Sequence, residues 1–167
     1  MVDAFTAPSV LVLTTGGTID KAYFDALSAY QVGETQIGKL LETARVACPY
    51  EVRELMRKDS LELDDEDRVT IAAAVRDAEA THIVITHGTD TMTETARVLG
   101  DAGGKTVVFV GALAPARFAE SDAPFNLGMA FATAQVAPPG VYITMNGTVF
   151  PANSVVKDRA RGAFVSR

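Results

Sequence analysis

Cysteine is almost missing from this chain of 167 residues: Cys48 stands alone, which excludes an intramolecular disulfide and any zinc site built on cysteine. Histidine is nearly as scarce. His82 and His87 make no ligand cluster, so neither a metal nor an organic cofactor is implied. Concentrated positive charge is lacking too: 15 Lys and Arg against 21 Asp and Glu leave a net charge of −6. The basic residues are scattered apart from Lys157, Arg159, Arg161 and Arg167, which argues against a nucleic-acid partner, since phosphate binding needs clustered cations. No apolar run approaches the ~20 residues of a membrane span. Met1 to Ser9 carries an acidic residue, has no Lys or Arg and runs straight into an apolar segment, unlike a secretory leader. Internal repeats and low-complexity tracts are absent. What remains is a chain with 48% apolar residues, long enough to bury a proper core. A single domain spanning residues 1–167, soluble and cytoplasmic, is the expectation.

Two threonine-rich segments stand out: Thr14-Thr15-Gly16-Gly17-Thr18 and Thr86-His87-Gly88-Thr89-Asp90-Thr91. Each follows a run of mostly β-branched apolar residues, Val10 to Leu13 and Ile83 to Ile85, that reads as a buried strand. Glycine lets the backbone turn sharply behind a strand, and hydroxyls there project from the carboxyl edge of the sheet, where open α/β folds bind ligands. Two such edges in one chain point to a single pocket faced by two threonines.

The remaining pattern alternates strand and helix. Strands are expected at Val10 to Thr14, around Tyr50 to Leu55, His82 to Thr86, Thr106 to Val110 and Val141 to Met145. Helices are expected from about Ile37 to Ala44, from Asp64 to Glu79 and from about Phe125 to Gln135. In the second of these, Asp64 is the N-cap and Val69, Ala72, Ala73 and Val75 form the inner face. Thr91-Met92-Thr93-Glu94 matches a capping box, opening a further helix that stops near Gly103-Gly104. Asn146-Gly147 signals a hairpin that returns Thr148 to Phe150 antiparallel. Gly16 to Gly33 reads as a long irregular loop of the binding or lid kind, and the tail from Asn153 as polar and basic. The fold class that follows is a doubly wound α/β sheet, mostly parallel and flanked by helices.

Glycine behind a strand first suggests nucleotide binding. The first segment lacks Gly-x-Gly-x-x-Gly spacing, no helix pattern begins directly behind it, and no Walker lysine follows. Threonine chemistry is the other option. A threonine hydroxyl becomes a useful nucleophile once a base takes its proton. His82 opens a strand and reads as structural, whereas His87 could equally be a hydrogen-bonded scaffold or a base. A neutral lysine is the alternative base, and Lys157, just past the last strand, is the candidate. Taken singly, Lys157 is a solvated charge, Asp90 a helix cap, and Thr18 and Thr89 turn formers. Only convergence at one sheet edge makes them a site.

These segments carry a resemblance. Thr14 to Ile19 and Thr86 to Met92 resemble the two signature segments of bacterial-type L-asparaginases. Val110-Gly111-Ala112-Leu113-Ala114-Pro115, Ala123-Pro124-Phe125-Asn126-Leu127 and Met145-Asn146-Gly147-Thr148-Val149 match further stretches of that family in the same order. The resemblance implies a fold equivalent to the N-terminal domain of those enzymes. It also implies roles: Thr18 as nucleophile, Tyr30 as the mobile-loop tyrosine that activates it, Thr89 as second catalytic threonine and Lys157 as its basic partner. By the same resemblance Asp90 holds the substrate α-amino group, Ser60 binds its α-carboxylate, and Gly17 and Ala112 contact the substrate through backbone. Ordinary members are roughly double this length, so the chain resembles the short-chain, single-domain form known from Rhodospirillum rubrum. Asp20-Lys21 stands where many relatives carry small residues.

The implied activity is hydrolysis of L-asparagine to L-aspartate and ammonia by a threonine nucleophile and a Thr-Lys-Asp group, in a homo-oligomer with neither nucleic-acid nor membrane partner. Glutamine, longer by one methylene, would be discriminated by only about 1–3 kcal/mol. Two other readings stay open: a partner-dependent glutamine amidase and a non-catalytic amino-acid-binding domain.

Overall fold

The computed structural model describes residues 8–167. In chain order its strands and helices are β1 (Val10–Gly16), β2 (Lys21–Phe24), β3 (Ala29–Val32), α1 (Ile37–Thr43), β4 (Tyr50–Lys58), α2 (Asp65–Asp77) and β5 (His82–Thr86). There follow α3 (Met92–Leu99), β6 (Thr106–Val110), α4 (Ala123–Val136), β7 (Gly140–Met145), β8 (Thr148–Pro151), β9 (Val155–Asp158) and β10 (Ala163–Ser166). Among the described residues, no helix is long and apolar enough to cross a membrane.

Six strands form one sheet in the order β4-β1-β5-β6-β7-β8, all parallel except β8. Successive side chains of a strand point to opposite faces. Leu11 and Leu13 of β1, Ile83 and Ile85 of β5 and Phe109 of β6 therefore meet α2 and α3, through Ile71, Val75, Met92 and Ala96. Their neighbours Val10, Val12, Val84 and Val108 meet α1 and α4, through Ile37, Leu41, Leu127 and Phe131. With both faces covered, the central strands must be apolar at every position, which is the continuous pattern the sequence shows. Burying each such side chain is worth about 1.5–3 kcal/mol. The expected doubly wound, mostly parallel sheet is what forms.

This topology positions a site. From β1 the chain passes to β4 on one side, then returns to β5 on the other, so the direction of winding reverses between β1 and β5. Open α/β sheets bind ligands in the crevice at such a reversal, outside the carboxyl ends of the strands. Thr14 pairs in register with Thr86, so the two threonine-rich loops leave the sheet at the same level. Thr15 Oγ1 donates to the Thr86 carbonyl at 2.8 Å and stitches them together.

Several local expectations are corrected. Gly16 to Gly33 is not irregular throughout: Lys21–Phe24 and Ala29–Val32 pair as an antiparallel hairpin, turning at Asp25–Leu27. Its residues are half-buried or exposed on both faces, so the period-two pattern that betrays a strand never arises. In α2 the inner face is Arg68, Ile71 and Val75 at helical spacing, whereas Val69 is 59% exposed. The Thr91–Glu94 capping box does not form. The Thr91 hydroxyl donates instead to the Ser60 carbonyl at 2.8 Å, and Glu94 reaches Arg68. α3 ends at Leu99, earlier than expected, because Gly100 takes a left-handed φ of 64°. The tail is not merely polar: β9 and β10 pair antiparallel and bury Val155 and Phe164 in the core. Asn146 and Gly147, at φ 51° and 66°, make the hairpin turn to β8 as expected.

Candidate active site

Three loops meet closely at the carboxyl edge, with glycines at the points of contact. A Cβ on Gly17 (φ 85°) would lie 2.5 Å from the Gly88 backbone. A Cβ on Gly88 would lie 2.6 Å from the Ser60 side chain, and one on Gly111 would lie 2.4 Å from the His87 carbonyl. Glycine is required at these points for close approach, and the approach stacks the Thr18 loop, the Thr89 loop and the Ser60 turn against one another. Ser60 is buried, held by Gly88 on one side and by Thr91 through its carbonyl on the other. The Gly17 N–H is satisfied by the Lys58 carbonyl at 3.0 Å. Thr18 opens a short 3-10 turn (Thr18–Asp20) and is partly accessible, and among the described residues its hydroxyl makes no hydrogen bond.

Lys157 reaches this edge from β9. Its Nζ donates to Thr89 Oγ1 at 2.8 Å and to Asp90 Oδ1 at 2.7 Å. The lysine side chain is 15% exposed, the Asp90 side chain 34%. The hairpin that carries Lys157 is docked by the Phe164 N–H, which donates to Asn146 Oδ1 at 2.8 Å. Thr89, Asp90 and Lys157, 67 and 68 residues apart in sequence, thus form one hydrogen-bonded group. Threonine and carboxylate present oxygens, the lysine presents protons, and the Gly17–Gly88 contact sets Thr18 on the neighbouring loop.

Tyr30 sits apart from this group. It lies on β3, half-exposed, with its ring edge-on to Tyr23 and Phe118 at centroid distances of 5.3 and 5.8 Å, and no hydrogen bond joins it to Thr18. Ala112 is buried in the loop after β6. That loop is fixed by a residue the sequence did not single out: Asp122, at the head of α4, accepts from the Leu113 and Ala114 N–H groups at 2.9–3.0 Å. Asn126 Nδ2 donates to the Gly111 carbonyl and to Asp122. A carboxylate four residues ahead of an asparagine, at the start of a helix behind a proline-bearing loop, was the available signal.

Both histidines are structural. His82 Nδ1 bonds the Ala134 carbonyl at 2.7 Å. His87 is fully buried, Nδ1 against the Gly88 carbonyl and Nε2 against Thr95 Oγ1, each at 2.7 Å. A carbonyl can only accept, so Nδ1 carries the proton and Nε2 accepts from Thr95. Burial lowers the His87 pKa from 6.5 to about 4, so the ring is neutral and has no free nitrogen to act as a base. Of the two readings open for His87, the scaffold stands.

Asp20 is buried at the foot of the β2–β3 hairpin, where Oδ1 accepts from the Gln36 N–H at 2.8 Å and from Thr35 at 3.3 Å. Burial dominates, raising its pKa from 3.8 to about 6 against the lowering effect of those bonds and of Arg117. Asp59, next to Ser60, behaves oppositely. Burial alone would raise it, but hydrogen bonds from Lys21 and the Leu61 N–H hold it below the ordinary carboxylate value.

The asparaginase N-terminal family matches over residues 9–166. The chain belongs to the asparaginase family. L-asparaginase 2 of Escherichia coli is 34% identical over 165 residues, covering 92% of this chain and 47% of that protein. A glutaminase-asparaginase of Acinetobacter glutaminasificans is 30% identical over 168 residues, covering 89% and 49%. The solved thermostable L-asparaginase of Thermococcus kodakarensis superposes with a TM-score of 0.84 at 33% identity, covering 95% of this chain and 51% of that one. The chain thus spans about half the length of these asparaginase relatives. The architecture above is that of an asparaginase N-terminal domain.

Proposed function

We propose that this chain hydrolyses L-asparagine to L-aspartate and ammonia with the Thr18, Thr89, Asp90 and Lys157 group. The observation that carries the reading is Lys157 bonded to both Thr89 and Asp90 beside a Thr18 loop pressed onto the same edge. Asp90 keeps its second carboxylate oxygen for the substrate α-ammonium, and Ser60 lies across the glycine stack for the α-carboxylate. Thr18 Oγ attacks the side-chain amide carbon. The C–N bond breaks, nitrogen leaves as ammonia with the threonine proton, and an aspartyl ester remains. Water, deprotonated through Thr89 and Lys157, adds to that ester, and L-aspartate departs as the Thr18 hydroxyl is restored. Backbone N–H groups beside Gly17, at Thr89 and at Ala112 are the oxyanion donors in this scheme, each worth about 2.7–4 kcal/mol. Tyr30 completes it when the β2–β3 hairpin bears on Thr18.

Self-association belongs to the same reading. Val149 on the edge strand β8 and Phe125 beside the Gly147 turn are exposed, and a second copy would cover them.

The test is ammonia release from L-asparagine and, separately, from L-glutamine, with Thr18→Ala beside the unaltered chain. Release from asparagine that vanishes in Thr18→Ala is the expected result. Release from glutamine instead would favour an amidase resembling the glutaminase-asparaginases. A folded chain that binds L-aspartate but releases nothing would sink the hydrolase and leave an amino-acid-binding domain.

A further inference from the structure

The hairpin that carries Tyr30 is tied to the site by a bond outside the threonine group. At its base, Lys21 Nζ lies 2.6 Å from Asp59 Oδ2, with the two side chains 27% and 28% exposed. Asp59 is also the cap of the turn that presents Ser60. It accepts from the Leu61 N–H at 3.2 Å, and its own N–H meets Glu62 in a capping box. Beside the pair, a polar cleft of about 330 Å³ separates hairpin from turn, lined by Tyr30, Arg57 and Glu62 as well as by Lys21 and Asp59. Among the described residues, Lys21–Asp59 is the one ion pair or side-chain hydrogen bond that crosses from the hairpin to the Ser60 turn.

The hairpin's other attachments lead elsewhere. The Gly33 N–H donates to the Asp20 carbonyl at 2.9 Å, and Arg117 donates to the Glu34 carbonyl at 3.2 Å. Tyr30 leans on Phe118. These fix the foot and flank of the hairpin. They do not fix its separation from Ser60.

We propose that Lys21 is a positioning residue of the site: its ion pair with Asp59 holds the Tyr30 hairpin against the turn that presents Ser60, and so sets how firmly substrate is held. This rests on the asparaginase reading. Neither partner bonds Thr18, Thr89 or Lys157, so loss of the tie acts indirectly, on substrate affinity through the Ser60 turn and on the chemical step through Tyr30. The residue next in sequence makes the tie effective. The Asp20 carbonyl accepts from the Gly33 N–H and its carboxylate from the Gln36 N–H, which fixes the chain beside Lys21.

The experiment compares Lys21→Met, Asp59→Asn and the double variant. Asn keeps the acceptor for the Leu61 N–H. Each single change is expected to raise KM for L-asparagine about two- to fivefold, the range of a partly exposed pair, with kcat falling alongside as Tyr30 is loosened from Thr18. The double variant should be no worse than the singles. Additive losses, or an unchanged KM, would overturn the proposal. Amide hydrogen exchange of residues 21–32 is read on the same proteins and does not depend on turnover. Faster exchange in both single variants sustains the tie even if asparagine is not hydrolysed and only the proposed function fails. Unchanged exchange refutes the tie itself.

Discussion

Asp20→Asn tests two buried groups at once. In the folded chain Asp20 titrates near 6 rather than 3.8, because burial disfavours its charge. Between those values the native state holds a proton that the unfolded state has released, so Asp20 makes stability fall as pH rises. At about 1.4 kcal/mol per pH unit, the whole effect is about 3 kcal/mol. His87 works the other way. Its folded pKa is about 4 against 6.5 unfolded, so between those values the unfolded state holds the extra proton and stability rises with pH, again by about 3 kcal/mol. The windows overlap from about 4 to about 6, and the two slopes oppose. The unaltered chain should therefore show little change in unfolding free energy across that range. Asparagine keeps an oxygen for the Gln36 N–H and cannot titrate, so Asp20→Asn removes one slope and exposes the other. Urea unfolding followed by far-ultraviolet circular dichroism at pH 4, 5, 6 and 7 is the assay. The variant should gain about 3 kcal/mol relative to the unaltered chain on going from pH 4 to 6. Parallel curves for the two proteins would refute the account of Asp20.

Lys157→Met should lower kcat/KM for asparagine about 10²–10⁴-fold, the range for loss of a positioned base. Ammonia release reads that loss, and a variant within a few-fold of the unaltered chain would remove Lys157 from that role. Gly88→Ala drives a methyl into Ser60, and overpacking of this kind costs about 1–3 kcal/mol. Chemical denaturation reads that loss, and an unchanged midpoint would mean that the Ser60 turn yields freely.

The sheet was legible because burial on both faces leaves a strand no choice but to be apolar, as in Val10 to Leu13 and Ile83 to Ile85. The boundaries of β5 and β6 follow from that alone. The β2–β3 hairpin was not legible, since Tyr23, Phe24 and Tyr30 are aromatic residues on an element that projects from the sheet. Aromatic pairing across strands, not alternation with a core, holds it together. The Thr91 capping box misled for a related reason. Thr91 has the right spacing to Glu94, but the Ser60 carbonyl, 31 residues earlier, offers the hydroxyl a better partner. Local pattern cannot register a competitor brought in by tertiary contact. Convergence of the Thr18 and Thr89 segments was argued from their two strand ends and Ser60 entered by resemblance, whereas Asp122 and Asn126 under the Ala112 loop were marked only by their spacing.

The connectivity orders the steps by which the molecule is built. Thr89 and Asp90 belong to a crossover whose strands, β5 and β6, are neighbours in both sequence and space. Lys157 must close a loop of nearly seventy residues to meet them, and the hairpin that carries it is docked by the Asn146–Phe164 bond. Closing so long a loop is an entropic step that follows the sheet instead of seeding it. During synthesis both threonines leave the ribosome, and their strands can pair, well before the lysine exists. A half-made chain therefore has both threonine loops but not the bonds from Lys157, which form only when the last hairpin docks.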